Sequence, residues 1–215
     1  VKNKFYLISD NPSDMINIVQ EILEEPSLIF SYYNNVKIVI LLNLIKHLRS
    51  MGKEICIVNL EKIKPDVLPP DFHSVCNEKS EVIVYEAEDE KEVPVKFTVI
   101  ISSKKLKLGV RMIQIDKLGE NLYKMKINNN VLHLFRVLND YTIKEEQIGD
   151  VENEILKLLR EYQQMSMREI VQIIAHKTNS SREEVRNKLY FLKTIGAVEI
   201  KEGIVSLNDY GWSKR

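Results

Sequence analysis

The sequence predicts a mixed α/β protein in two parts, a sheet domain over residues 1–147 and a small α+β module over 148–208, with a tail at 209–215. Three observations carry this. Between Ser27 and Leu60 a short apolar run, a polar turn, a long apolar stretch and a second apolar run succeed one another. That is the order strand, helix, strand of a parallel βαβ unit. From Val95 to Val137 the chain is strand-rich, and at Ile148-Gly149-Asp150 the pattern changes to helices.

Composition bounds the function classes. In 215 residues there are 31 Lys+Arg and 31 Asp+Glu, so the formal net charge is zero. A globally basic chain is thereby excluded, and nucleic-acid binding has to rest on a local face. With 44% hydrophobic and 29% charged residues the chain has the makings of a packed core and is not of the disordered class. The longest apolar run is Ile38–Leu42, far short of the roughly 20 residues a spanning helix needs. No secretory pattern opens the chain. Cys56 and Cys76 are too few for a disulfide framework and lack CxxC spacing. The expectation is a reduced, cytoplasmic protein without a membrane segment. Twenty-six isoleucines beside abundant Lys and Glu fit a thermophile or an AT-rich genome.

With seven glycines and six prolines, each is informative punctuation. Phe5-Tyr-Leu-Ile reads as a strand, and Asp10-Asn-Pro-Ser-Asp14 as a helix start with Pro12 in the first turn. Met15, Ile18, Val19, Ile22 and Leu23 share one helical face, and Pro26 ends that helix. Ser27–Phe30 is a strand, Val36 to Met51 a helix capped by Gly52, and Glu54–Leu60 a second buried strand. Glu81–Tyr85 comes after a Pro-rich loop. The acidic run Glu86–Glu92 reads as a solvated loop, since no ligand spacing is defined. Lys96–Ser102, Arg111–Lys117, Asn121–Ile127 and Val131–Arg136 are strands, the last three forming a meander.

The module from Asp150 reads as three helices and a hairpin. Asp150 caps the first helix, Ser166 the second, and Ser181 with Glu184 forms a capping box for the third, whose buried stripe is Val185, Leu189 and Leu192. Ala197–Lys201 and Ile204–Leu207 make the hairpin. This layout, with Met167-Arg-Glu-Ile-Val-Gln-Ile-Ile leading to Gly196-Ala-Val-Glu-Ile, resembles the winged helix-turn-helix family over residues 150–207. The resemblance implies a third helix in the major groove of double-stranded DNA and a wing along the backbone. The residues it points to are Arg182, Arg186, Asn187, Lys188, Tyr190 and Lys193, with Lys201 on the wing. Arg and Asn match guanine and adenine edges. Glu199 and Glu202 work against a basic wing. In the tail, Tyr210, Trp212, Lys214 and Arg215 could stack on a base or pack back onto the module.

Residues 27–60 resemble the first β-loop-helix-β of RecA/RadA-type ATPases, and the likeness extends over about residues 5–137. The P-loop pattern is G-x-x-x-x-G-K-[ST]; the corresponding positions here are Ser31, Val36, Lys37 and Ile38, so only the lysine remains. Cβ atoms at Ser31 and Val36 obstruct a phosphate-wrapping backbone, and Ile38 has no hydroxyl for magnesium. Lys37 is expected to be a solvated first-turn lysine. Val82–Tyr85 occupies the place of a Walker B strand but ends in Tyr85-Glu86. Arg111-Met-Ile-Gln-Ile-Asp-Lys-Leu-Gly119 resembles a later strand and turn of that family. The implied fold is a RecA-like or Rossmann-like sheet domain followed by a winged helix.

No other catalytic constellation stands out. His47, His73, His133 and His176 are scattered, none is set with Cys or carboxylate at metal spacing, and Cys56 reads as core. The resemblance therefore implies a non-enzymatic, cofactor-free DNA-binding accessory or regulatory protein, similar to inactive archaeal RadA paralogues and acting in recombination, repair or transcription. Its partners would be duplex DNA and either a second copy or a RecA-family protein, joined through a sheet edge in the 95–137 segment. The rival reading is a ligand-sensing winged-helix regulator with a Rossmann-like sensor domain.

Overall fold

The computed structural model describes residues 14–127 and 130–208. Phe5–Ile8, the Asp10–Pro12 helix start and the tail with Tyr210, Trp212, Lys214 and Arg215 lie outside them. The described chain divides into two compact units, one of residues 14–127 and 132–145, the other of 146–208 with 130 and 131. No helix among the described residues is long and apolar enough to cross a membrane.

The first unit opens with α1 (Asp14–Leu23), β1 (Ser27–Phe30), α2 (Asn34–Ser50) and β2 (Ile55–Val58). β3 (Glu81–Tyr85), β4 (Val99–Ser102), β5 (Arg111–Gly119), β6 (Leu122–Ile127), β7 (Asn130–Val137) and β8 (Ile143–Glu146) complete one eight-stranded sheet in the order β2-β3-β4-β1-β5-β6-β7-β8. β2, β3, β4, β1 and β5 pair in parallel, and β6 turns back antiparallel on β5. The apolar Leu28–Phe30 run of β1 suits its central place for a physical reason: a parallel strand covered on both faces needs no polar alternation.

α1 and α2 cover one face. Ile18 and Ile22 of α1, and Val36, Val39, Ile40 and Leu44 of α2, pack on Ile29, Ile83, Ile101 and Ile113 of the sheet. Leu28, Val84 and Ile100 point to the other face, where Phe97, Leu106, Leu108 and Val110 of two loops close over them. Only the β1–β2 crossover is helical; β2–β3 is a long loop with two single 3-10 turns.

Several expectations are corrected. β8 is not legible in the sequence, because Ile143-Lys-Glu-Glu146 offers one apolar residue. The 95–137 segment offers no free edge: β4 and β5 lie inside the sheet, and its outer strands are β2 and β8. Arg111 opens β5 inside the sheet. Its guanidinium is nearly buried and donates to the carbonyls of Glu21 and Ile22, with the carboxylates of Glu21, Glu24 and Glu25 around it. It thus binds the last carbonyls of α1 to the middle of the sheet. Arg111→Ala is expected to cost about 2 kcal/mol, the scale of charge-assisted bonds in a nearly buried site. An unchanged denaturant midpoint would count against that role.

Cys56 and Cys76 are not free thiols. They form a disulfide with Cα atoms 4.6 Å apart, across 20 residues of sequence.

The second unit runs α3 (Asp150–Tyr162), β9 (Gln164–Ser166), α4 (Met167–Thr178), α5 (Arg182–Thr194), β10 (Val198–Lys201) and β11 (Ile204–Leu207). The strands form an antiparallel sheet in the order β10-β11-β9. Glu202 and Gly203, both at positive φ, make the two-residue turn that joins β10 to β11. Ile155, Leu159, Ile170, Ile174, Val185, Leu189 and Val205 are buried. The caps differ from expectation in two places. The residue before α3 is Gly149, without a side-chain cap, so Asp150 is inside the helix. At Ser181 only half of the box forms, its side chain accepting from the Glu184 amide, whereas Ser166 and Glu169 form the complete reciprocal box.

Candidate functional site

Two places carry the residues that the sequence singles out. The first is the carboxyl end of β1, β3 and β4. Ser31 is buried; its amide donates to the Ser102 carbonyl at 3.1 Å and its hydroxyl to the Ile115 carbonyl at 3.0 Å. Only Ser31, Tyr32 and Tyr33 separate β1 from α2, so Asn34, Asn35 and Val36 are already helical. A phosphate-wrapping loop needs those residues out of the helix. Tyr32, itself exposed, meets Phe30 edge-on at 4.8 Å, and the Lys105 ammonium stands 4.9 Å from the Phe30 ring.

Lys37 is not solvated. It is 0% exposed, and its ammonium donates to Glu86 Oε1 and to Ser103 Oγ. Glu86, at φ +51° just beyond β3, is placed by its neighbours. Its amide donates to the Ile101 carbonyl at 2.7 Å, its Oε2 accepts from the Ser103 amide at 3.1 Å, and its carbonyl accepts from Lys62 Nζ at 2.8 Å. A buried ammonium demands such a partner, because its desolvation is otherwise uncompensated. The charge that would meet a phosphate is thus neutralised within the chain. Val36 is buried beside it and Ile38 is half-buried. Burial, with the Glu86 charge adding to it, pushes the Tyr85 phenol up to about 12, so Tyr85 stays neutral at physiological pH.

Residues 31–38 therefore form no phosphate-wrapping loop, and the Lys37 ammonium is paired within the chain. ATP with magnesium is expected to leave the melting temperature unchanged, since a ligand that does not bind the native state cannot stabilise it. Measured ATP turnover that disappeared in Lys37→Ala would overturn this account. Among the described residues no group of three or more His, Cys, Asp or Glu could hold a metal ion. His133 does find a carboxylate, Glu145, across β7 and β8, but among the described residues that pair has no third member.

The second place is α5. Val185, Leu189 and Leu192 face the core, as expected. Arg182, Arg186, Asn187, Tyr190 and Lys193 are solvent-facing, with Tyr190 at 51%. At about 100° per residue, Arg182, Arg186, Tyr190 and Lys193 fall within one stripe along the helix. Among the described residues no carboxylate pairs with Arg182, Arg186 or Lys193.

Lys188 and Lys201 are placed differently. Lys188 lies about 200° around the helix from Arg186. Its ammonium is 2.9 Å from Glu152 of α3, a carboxylate only 2% exposed. It joins α5 to α3 instead of standing in the solvent stripe. Lys201 is 2.7 Å from Glu199 on its own strand, so β10 presents an internally paired charge, and Glu202 comes next at the turn. Beside the α5 stripe, a concavity lined by Gln172, Ile173, Ala175, His176, Lys177 and Arg182 separates it from α4. Sequence reasoning does not single out Gln172 and His176. Their i, i+4 spacing on the exposed side of α4 is the signal that could have found them.

No protein-family model matches the chain, and no curated protein matches it in sequence. The functional reading therefore rests on the residues and their geometry.

Proposed function

We propose that this chain is a non-enzymatic DNA-binding accessory or regulatory protein: a RecA-like sheet domain without a nucleotide, joined to a winged helix that binds duplex DNA through α5. The observation that carries the reading is the solvent-facing stripe of Arg182, Arg186, Tyr190 and Lys193, with Asn187 beside it and no carboxylate among the described residues pairing with its cations. Guanidinium and ammonium groups open to solvent on one helix are the electrostatic and base-reading equipment that duplex recognition needs. The element order helix-strand-helix-helix-strand-strand supports the winged-helix assignment. Because Lys201 is paired and Glu202 lies at the turn, the wing adds little to binding in this reading, and α5 does most of it.

Strand order supports the RecA-like side of the sheet assignment. In the common Rossmann and flavodoxin-like orders β1 lies beside β2. Here β1 lies between β4 and β5, and β4 separates it from β3, as in RecA-type sheets. The rival, a ligand-sensing winged-helix regulator, would take its ligand at the carboxyl ends of these strands. Lys37, Glu86 and Ser103 fill part of that place, which favours the scaffold reading. The scaffold would serve self-association or docking of a RecA-family partner, in the cytoplasm, in recombination, repair or transcription.

Fluorescence anisotropy with a short labelled duplex tests the proposal. With the three cations of the α5 stripe each meeting a phosphate, log K is expected to fall with log salt at a slope of about −2 to −3, at about 0.9 per neutralised phosphate. Absence of duplex binding at low salt would sink it and move the module to the protein-binding class.

A further inference from the structure

β2 is an outer strand of the sheet, and its sequence, Ile55-Cys-Ile-Val58, has no charge, no glycine and no proline. A strand of that composition with a bare edge pairs readily with another chain. The other outer strand, β8, carries Lys144, Glu145 and Glu146 and is blunted by charge. The β2 edge is not bare, because residues 74–76 run along it. The Val75 amide donates to the Ile55 carbonyl at 2.9 Å, and the Ile57 amide donates to Ser74 Oγ at 2.8 Å. The disulfide then ties Cys76 to Cys56 within the strand.

Apolar packing does not hold this strap. Val75 is 41% exposed and Cys76 is exposed as well. The turn at residues 77–80, just after the strap, is better anchored: Ser80 Oγ donates to the Val75 carbonyl at 2.7 Å, and Asn77 Nδ2 to Glu54 at 2.7 Å.

We propose that the Cys56–Cys76 disulfide is a redox latch over a self-pairing strand edge, and that the partner admitted when it opens is a second copy of this chain. A dithiol reductant attacks the exposed Cys76 sulfur. It supplies two electrons and two protons, the S–S bond breaks, both cysteines become thiols, and the reductant becomes its own disulfide. The strap is then held to β2 by the Val75–Ile55 and Ile57–Ser74 hydrogen bonds and tethered at the Val75 carbonyl by the Ser80 hydroxyl, each of small net value. Ile63 and Phe72 stay packed in the core, so only residues 73–76 regain the freedom that closure had removed. The Ile55 carbonyl and Ile57 amide, two residues apart on one side of the strand, become available together. An uncharged four-residue edge is self-complementary about a two-fold axis, so a second β2 can pair with it antiparallel. This gives the proposed self-association a place on the fold and does not depend on α5 meeting DNA.

The test uses the full chain, oxidised and after dithiothreitol, with hydrogen exchange at Val75 and light scattering at micromolar concentration. Reduction is expected to speed Val75 exchange at least tenfold and to shift the protein from monomer to dimer. Cys76→Ser should do both without reductant, while retaining the circular dichroism of the parent. Unchanged Val75 exchange after two free thiols have been counted would overturn the latch. An opened strap on a strictly monomeric chain would overturn the pairing edge. Duplex binding, read on the same samples, reports on the α5 proposal separately.

Discussion

Lys37→Met is expected to destabilise the sheet unit by about 2–3 kcal/mol, below the roughly 3–5 kcal/mol for breaking a fully buried ion pair. The discount comes from geometry: Lys37 is fully buried, but the Glu86 side chain is 23% exposed and can recover some hydration. Met keeps most of the lysine's volume, so the loss reports on charge and not on a cavity. The melting temperature should fall by about 5–10 °C, at roughly 2–4 °C per kcal/mol for a chain of this size. Lys37→Met combined with Glu86→Gln should recover much of that loss. The amide oxygen can still accept from the Ser103 amide, and no charge is left unpaired. A melting temperature unmoved in the single variant would refute the buried-pair account of this site. Recovery in the double variant would show that the lysine here serves the chain's own carboxylate.

Removing Arg182, Arg186 and Lys193 together should weaken duplex binding by at least about a hundredfold at low salt. One arginine reading a guanine edge contributes about 1–3 kcal/mol, and each phosphate contact adds to that. The salt slope should flatten toward zero in the same variant. Lys188→Met supplies the contrast. It strands the buried Glu152 carboxylate, so the helical unit should melt earlier, while the salt slope of the folded protein stays that of the parent. Equal slopes for the triple variant and the parent would take α5 out of the interface. A slope reduced by about one unit in Lys188→Met would return that lysine to the DNA-contacting set.

Most elements are legible along the chain because they rest on local rules. Ser27–Phe30 is apolar but for its first residue and forms the central parallel strand; Val185, Leu189 and Leu192 recur at helical spacing and form the buried side of α5. Ser166 caps α4 as its residue type predicts, whereas the reciprocal box expected at Ser181 and Glu184 forms instead at Ser166 and Glu169. That residues 31–38 do not wrap a phosphate is legible too, since Ser31 and Val36 lack the needed backbone freedom and Ile38 the hydroxyl, whatever surrounds them. β8 is not legible, because Lys144, Glu145 and Glu146 are strand residues only by virtue of the neighbour they pair with.

Tertiary structure alone decided where the charges and sulfurs ended up. Lys37 and Glu86 are 49 residues apart, Lys188 and Glu152 are 36 apart, and Cys56 and Cys76 are 20 apart. No periodicity links such positions. A lysine in the first turn of a helix reads as solvated until the strand that ends in a carboxylate is laid two places away in the sheet. Local sequence sets which backbone shape each segment prefers and which face is apolar. The partner of a buried charge is set by which distant segment the folded topology brings within hydrogen-bonding distance, and burial then makes that pairing obligatory.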